Sequence, residues 1–300
     1  MEIRTYRLGL LRRSQGLNKY NDVSPNLKRS IISGFTLFLL AIGGIIMLLP
    51  FVWMVLSSMK PTVELLKMPP TWLPKKGFWL GNYKQVLELI SFDRYMLNSL
   101  IIATANTVVG LLTSALTGYI FAKYEFRGKN IFFMFLLGSM MIPFQVIMIP
   151  MYKIMIDIKW VNTYYALTIP YFISIFGVFL MRQFMSTLPN DLMEAAFIDG
   201  CTHFRTFWSI MLPLVKSAIS ALGIFLFMGS WNDYLWPLIV IDSELMRTIP
   251  LGLGVFIQQR GMKYDLLMAA SVMSVLPILA VFFAAQKYFI EGITLTGMKS

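Results

Sequence analysis

Long apolar runs broken by short polar segments dominate this chain, and their lengths set its class. A helix needs about 20 predominantly apolar residues to cross a bilayer core, and six stretches reach that length: roughly 31–58, 96–121, 131–151, 163–184, 214–240 and 265–290. The pattern predicts an all-α membrane protein of six transmembrane helices. A basic tail over 1–30 precedes the six-span region 31–290, and a short tail over 291–300 follows it. An even number of spans puts both termini on one side. With the amino terminus inside, the inner segments carry 15 Lys and Arg against 11 outside. The basic first flank, with Arg4, Arg7, Arg12, Arg13, Lys19, Lys28 and Arg29, points the same way, so both termini are expected in the cytoplasm. The first apolar run is too long for a secretory signal and is expected to remain as a span.

Within the spans, a few polar and small residues stand out. Asn106, Gly110, Ser114 and Gly118 recur every four residues in the second span, a small-residue stripe that lets membrane helices approach closely. Asn106 is read as part of that packing face or as lining a solute path. In the third span Pro143 and Pro150 each remove a helical hydrogen bond, which predicts a bent, interior span carrying Gln145. The fifth contains Ser230-Trp231-Asn232-Asp233-Tyr234-Leu235-Trp236-Pro237. An acid within a span should face protein or water. Asp233 and Asn232 are therefore candidates for the solute path, the other reading being an outer boundary cluster with an aromatic belt of Trp231, Tyr234 and Trp236. Between the first two spans, the Pro- and Trp-rich segment 61–94 is expected to lie on the outer face, with Asn82 capping a short helix whose apolar side is Val86, Leu87 and Ile90.

The polar loop 186–213 is too patterned to be a plain connection. Pro189, Asn190 and Asp191 mark a helix start, and Leu192, Ala195, Ala196 and Asp199 fall on one side of that helix. The two alanines leave this face nearly bare. Gly200 sits where a left-handed residue ends a helix, and Thr202 can cap a second helix with apolar members Phe204, Phe207, Trp208 and Met211.

The spacing Glu194-Ala195-Ala196, three residues, Gly200, nine residues, Ile210, one residue, Leu212-Pro213 resembles the EAA signature of bacterial ABC import permeases at every fixed position. Ala122 to Lys129, Ile142-Pro143-Phe144-Gln145 and the Trp231 to Pro237 run are also similar to that family, the last to its carbohydrate branch, maltose-type, smaller permease. The resemblance implies a type I importer transmembrane domain working by alternating access in the bacterial cytoplasmic membrane, importing sugars or oligosaccharides. Glycerol-phosphate importers share the subfamily. Glu194, Ala195, Ala196, Asp199, Gly200, Leu212 and Pro213 would then couple the chain to an ATPase. Asn106, Gln145, Asn232 and Asp233 would border the solute path. The implied partners are a second related permease forming a heterodimer, two ATPase subunits holding ATP and Mg, an extracytoplasmic solute-binding protein and membrane lipid. In the maltose-type relatives the loop matching Ile241–Tyr264 reaches into the binding protein.

Composition narrows the remaining classes. The chain of 300 residues is 57% hydrophobic with mean hydropathy +0.67, well above an ordinary soluble domain. Its net charge of +11 is scattered among loops and tails with no basic helix face, so it reads as membrane-surface charge and no nucleic-acid partner is expected. A lone cysteine, Cys201, excludes an intrachain disulfide, and with His203 the only histidine no Cys/His metal set can form. The two are read as incidental members of the second loop helix. No Gly-x4-Gly-Lys-Ser/Thr phosphate loop is present: Gly292 to Gly297 before Met298-Lys299-Ser300 has one residue too many and no helix after it. ATP hydrolysis is thus assigned to another polypeptide, and no catalytic residue is expected here. The competing reading is an ion-coupled carrier or channel complete in itself. It would require buried ionisable groups and usually an internal repeat, and the spans offer Asp233 alone and no repeat.

Overall fold

A computed structural model describes residues 25–75, 77–258 and 263–297. The basic tail up to residue 24, the Arg260 stretch of the outer loop and residues 298–300 lie outside the described residues. The chain divides into two units, Met1–Trp53 and Met54–Ser300. In the first unit the described residues form part of one helix, α1 (Pro25–Ser58), of which Ser33–Ser58 is long and apolar enough to cross a membrane.

The second unit is helical throughout its described length. Short turns aside, it consists of α2 (Gly81–Leu89), α3 (Phe92–Lys123), α4 (Lys129–Ser139), α5 (Phe144–Asp157), α6 (Tyr164–Thr168), α7 (Ile175–Ser186), α8 (Asp191–Ile198), α9 (His203–Thr206), α10 (Lys216–Trp231), α11 (Leu235–Val240), α12 (Ile249–Leu253) and α13 (Tyr264–Gly297). Among the described residues, four stretches qualify singly as spans: Ser33–Ser58, Phe92–Lys123, Tyr164–Ser186 and Tyr264–Ala284. The count reaches six when two bent pairs are each taken as one span.

The first of these pairs corrects an expectation. α4 and α5 meet at 95°, so the third span is broken rather than bent. Proline disfavours a helical conformation in the residue before it. The chain accordingly leaves the helix before Pro143, whose φ of −59° and ψ of 137° redirect it, and α5 restarts at Phe144. Nor is this stretch interior within the chain: Ile131, Phe135, Met141, Val146 and Ile149 are exposed, while Phe133 and Met155 are buried. The second pair joins His203–Leu214 to Lys216–Val240 at 83°. A π-helical turn over Phe207–Met211 precedes this bend. Pro213 has no N–H to return to the Ser209 carbonyl, so a regular α-turn cannot be completed there.

The centre of the unit is the crossing of α3 with α7. Asn106, Gly110, Ser114 and Gly118 are all buried. A β-carbon on Gly118 would stand 2.7 Å from Met181 Cβ and 2.8 Å from the Arg182 backbone nitrogen, and one on Gly177 would stand 2.2 Å from Ser114 Oγ. The small residues thus let two backbones approach where a larger side chain has no room, which is how membrane helices gain contact without a water-driven force. α10 packs on the same helices through Leu222 and Ala218, both buried. The Arg182 guanidinium lies 3.7 Å over the Phe133 ring and ties α4 to α7.

On the far side from the Glu194 loop, residues 59–90 fold onto α13. Val86 and Ile90 are buried in one cluster with Tyr95, Trp231, Leu266 and Ala269, whereas Leu87 is exposed. Asn82 does not cap α2, which starts at Gly81. Its amide donates instead to the Ser58 and Lys60 carbonyls at 2.9 and 2.8 Å. The Glu64 carboxylate accepts from the Lys75 N–H at 2.8 Å and the Thr71 hydroxyl at 3.1 Å. The backbone hydrogen bond from Lys75 is the main reason its carboxyl is held below the usual carboxylate range.

Candidate functional site: a polar cavity and the Glu194 loop

A cavity of about 530 Å³ opens between α3, α5, the α6–α7 junction and α10–α11. Asn106, Gln145 and Asp233 line it, with Tyr171, Ser230 and the rings of Phe144 and Phe225. Three of the four path candidates named from sequence therefore share one space. The fourth is elsewhere: Asn232 is exposed at the end of α10, and both its side-chain amide and its backbone N–H donate to the Met228 carbonyl of its own helix, at 2.9 and 3.0 Å.

The walls owe part of their polarity to breaks in helices. α10 ends at Trp231 and α11 begins at Leu235, leaving Asp233 between them. Pro237 cannot donate to the carbonyl four residues back, that of Asp233, so a continuous helix is blocked. The Asp233 carboxylate accepts from the Trp236 N–H at 3.4 Å and from the Tyr171 hydroxyl at 2.6 Å. Asn106 is 3% exposed, and its amide donates to the Leu167 carbonyl at 3.1 Å and to Ser230 Oγ at 2.9 Å. These donations fix which way the amide points and leave its buried Oδ1 with no hydrogen-bond donor. Asn106 thus serves the packing stripe and the cavity wall together.

The aromatic belt expected around Asp233 is overturned in part. Trp231 and Trp236 are 2% and 0% exposed. Trp231 stacks on Phe227 at 5.6 Å, and Trp236 donates its indole N–H to the Ala166 carbonyl at 2.8 Å. Both are core residues, so the aromatic faces toward the cavity come from Phe144, Tyr171 and Phe225. Sequence reasoning did not single out Tyr171. Its signal was a hydroxyl-bearing ring directly after Pro170 in a span that proline must interrupt.

The Glu194 loop forms the second candidate site. α8 begins at Asp191, but Asn190 makes no side-chain cap, since its Oδ1 accepts instead from the Lys123 ammonium at 2.8 Å. Gly200 adopts φ +79°, the left-handed stop its position predicts, and the Thr202 hydroxyl accepts from the Arg205 N–H at 3.3 Å to cap α9. The two alanines do not share a bare face: Ala196 is buried with Met193, while Ala195 is exposed with Leu192, Glu194 and Asp199. Their 100° separation around a helix puts them on opposite sides of the boundary. Ile198, not singled out from sequence, is 86% exposed beside Asp199. The second helix is likewise divided, with Phe207 and Met211 buried and Phe204 and Trp208 exposed. Leu212 and Pro213 stand at the bend into α10 rather than on the outward face of α8.

His203 is not incidental. Its Nδ1 and the Tyr124 hydroxyl share a hydrogen bond of 2.9 Å, and its ring meets Phe197 edge-on at 4.8 Å. Lys123 also donates to the Leu188 carbonyl. Tyr119, one turn back on α3, lies 5.2 Å from the Phe207 ring.

Comparison with known proteins places these features. Residues 110–294 match the family described as binding-protein-dependent transport system inner membrane component. The chain is 38% identical over 278 residues to the arabinooligosaccharides transport system permease protein AraQ of Halalkalibacterium halodurans, covering 92% of this chain and 98% of that one. It is 37% identical to AraQ of Bacillus subtilis over 88% of this chain and 94% of that one. The sn-glycerol-3-phosphate transport system permease protein UgpE of Rhizobium meliloti is 32% identical over 90% and 98%. Among solved structures, a bacterial ABC transporter involved in the import of the acidic polysaccharide alginate shares the fold. Its TM-score is 0.75 at 21% identity, covering 87% of this chain and 98% of that one. With its polar cavity between broken spans and its EAA-type loop, the chain belongs to the family of binding-protein-dependent transport system inner membrane components, as a non-catalytic permease subunit of an ABC importer.

Proposed function

We propose that this permease conducts neutral saccharides or oligosaccharides, and that the 530 Å³ cavity is its share of the path. The observation that carries the reading is the cavity lining: amides, hydroxyls and one carboxylate set among aromatic rings, the groups that hold sugar hydroxyls and stack on sugar faces. The names of the AraQ relatives support it. The UgpE relative raises sn-glycerol-3-phosphate as the other reading. No Lys or Arg lines the cavity among the described residues and Asp233 does, which opposes an anion.

In this reading the Glu194 loop faces the cytoplasm with both termini. The exposed side of α8, with Glu194, Ala195, Ile198 and Asp199, seats an ATPase subunit, and Gly200 sets the direction of that helix. A twofold ATPase dimer presents two equivalent seats. This chain fills one and a larger sister permease the other, with ATP and Mg held by the two ATPase subunits and solute delivered by an extracytoplasmic binding protein. The test is uptake by the co-expressed complex in proteoliposomes, with labelled neutral oligosaccharides and sn-glycerol-3-phosphate offered side by side. ATP-dependent uptake of a saccharide alone is expected, and uptake of the phosphate ester alone would overturn the substrate assignment. Native mass spectrometry showing two copies of this chain and no second permease would overturn the heterodimer.

A further inference from the structure

We propose that Lys123 and Tyr124 are positioning residues that clamp both ends of α8 to the end of α3, so that movement of the Glu194 loop is delivered to the cavity through α3. The backbone joins this loop to α7 before it and α10 after it, and buried apolar side chains pack it against both. The side chains add a third route. Lys123 holds the entrance of α8 through the Leu188 carbonyl and Asn190 Oδ1, 65 and 67 residues away in sequence. The next residue, Tyr124, holds the exit beyond the Gly200 turn through His203, 79 residues away. Two adjacent residues therefore grip a helix of eight residues at its two ends. Two polar ties on either side of a short helix resist both sliding and rotation, where one would leave a pivot.

Apolar contacts back the grip. The Tyr119 hydroxyl points to Met193 Sδ at 3.8 Å and bonds the Tyr124 hydroxyl at 3.2 Å. Met193, Phe207, Met181 and Met185 are buried in the same cluster as Tyr119. A close-packed interior of this kind transmits displacement rather than absorbing it. α3 is unbroken from Phe92 to Lys123 and contains no proline, unlike the third and fifth spans. Asn106 lies on it about 26 Å from Lys123 at 1.5 Å per residue, bonded to Ser230 and lining the cavity. The unbroken helix is the stiff member that joins the loop to the polar wall.

The inference rests on the reading that the loop seats an ATPase. It is tested in the complete transporter, with ATP hydrolysis and solute uptake measured in the same vesicles. For Lys123→Met combined with His203→Leu, the ATPase subunit should still co-purify while solute moved per ATP falls about tenfold, the scale of losing a charge-assisted hydrogen bond. Lys123→Arg and His203→Gln retain a donor or acceptor at each tie and should restore the ratio. Tyr124→Phe removes one oxygen and should lower the ratio without loss of protein, which keeps the test open if the double variant does not accumulate. An unchanged ratio in Tyr124→Phe, or in the double variant with ATPase bound, would overturn the clamp. Failure of the underlying seat reading shows separately: Ile198→Asp on the exposed side of α8 would then leave ATPase co-purification intact.

Discussion

The Tyr171 hydroxyl donates to the Asp233 carboxylate across 2.6 Å, joining the interruption of the fourth span to the break in the fifth. The pair fixes a carboxyl group at the cavity wall and makes its position depend on two helices. Tyr171→Phe keeps the ring and removes the donor, and Asp233→Asn keeps the shape and replaces the carboxyl group with an amide. Each should lower saccharide uptake about tenfold, for a hydrogen bond of about 1–2 kcal/mol in this setting. Uptake at fixed membrane abundance checks it; wild-type uptake in both variants would remove Asp233 from the path.

The α3–α7 crossing yields a stability prediction with an internal control. Gly118→Val places atoms against the Met181 Cβ and the Arg182 backbone, neither of which can yield, so overpacking should destabilise the protein by about 1–3 kcal/mol. Gly138→Ala and Gly229→Ala meet nothing within 4 Å and should be close to neutral. Thermal unfolding in detergent distinguishes the two outcomes.

Gly200 separates conformation from space. Nothing lies within 4 Å of a β-carbon built there, but φ is +79°. Gly200→Val should therefore cost about 1–2 kcal/mol through backbone strain alone and misdirect α8, reducing transport while insertion continues. Gly200→Asn, which tolerates the left-handed region, should retain more transport than Val. Equal transport by the two variants would show that the turn does not set the direction of α8.

Glu64 predicts a pH response on the far side. Hydrogen bonding to the Lys75 N–H lowers its folded pKa below that of an ordinary glutamate, so its stabilisation is complete above the ordinary value and is lost as pH falls through the lowered folded value. Hydrogen exchange at the Lys75 amide should accelerate on acidification beyond the intrinsic pH effect. Glu64→Gln should abolish that excess, and an equal excess in the variant would assign it to another group.

Much of this protein was legible from order along the chain. Span lengths, the Gly200 stop, the Thr202 cap and the four-residue stripe of α3 all follow from local geometry: the reach of a helix across a bilayer, the freedom of glycine and the period of the helix. The EAA spacing was legible because it joins two short helices and one turn in a fixed register. Tertiary structure decided what depended on neighbours distant in sequence. Whether Trp231 and Trp236 face lipid or core cannot be read from a run that is apolar on every side, since periodicity carries no signal where both environments are apolar. Which alanine of α8 faces outward depended on Met193 and Tyr119 meeting across 74 residues. The role of Asn190 was set by Lys123, which took the side chain that would otherwise have capped the helix. Proline marked where helices must yield, but the 95° break and the cavity beside it required the packing of α3, α7 and α10, because a missing hydrogen bond permits a turn without choosing its direction.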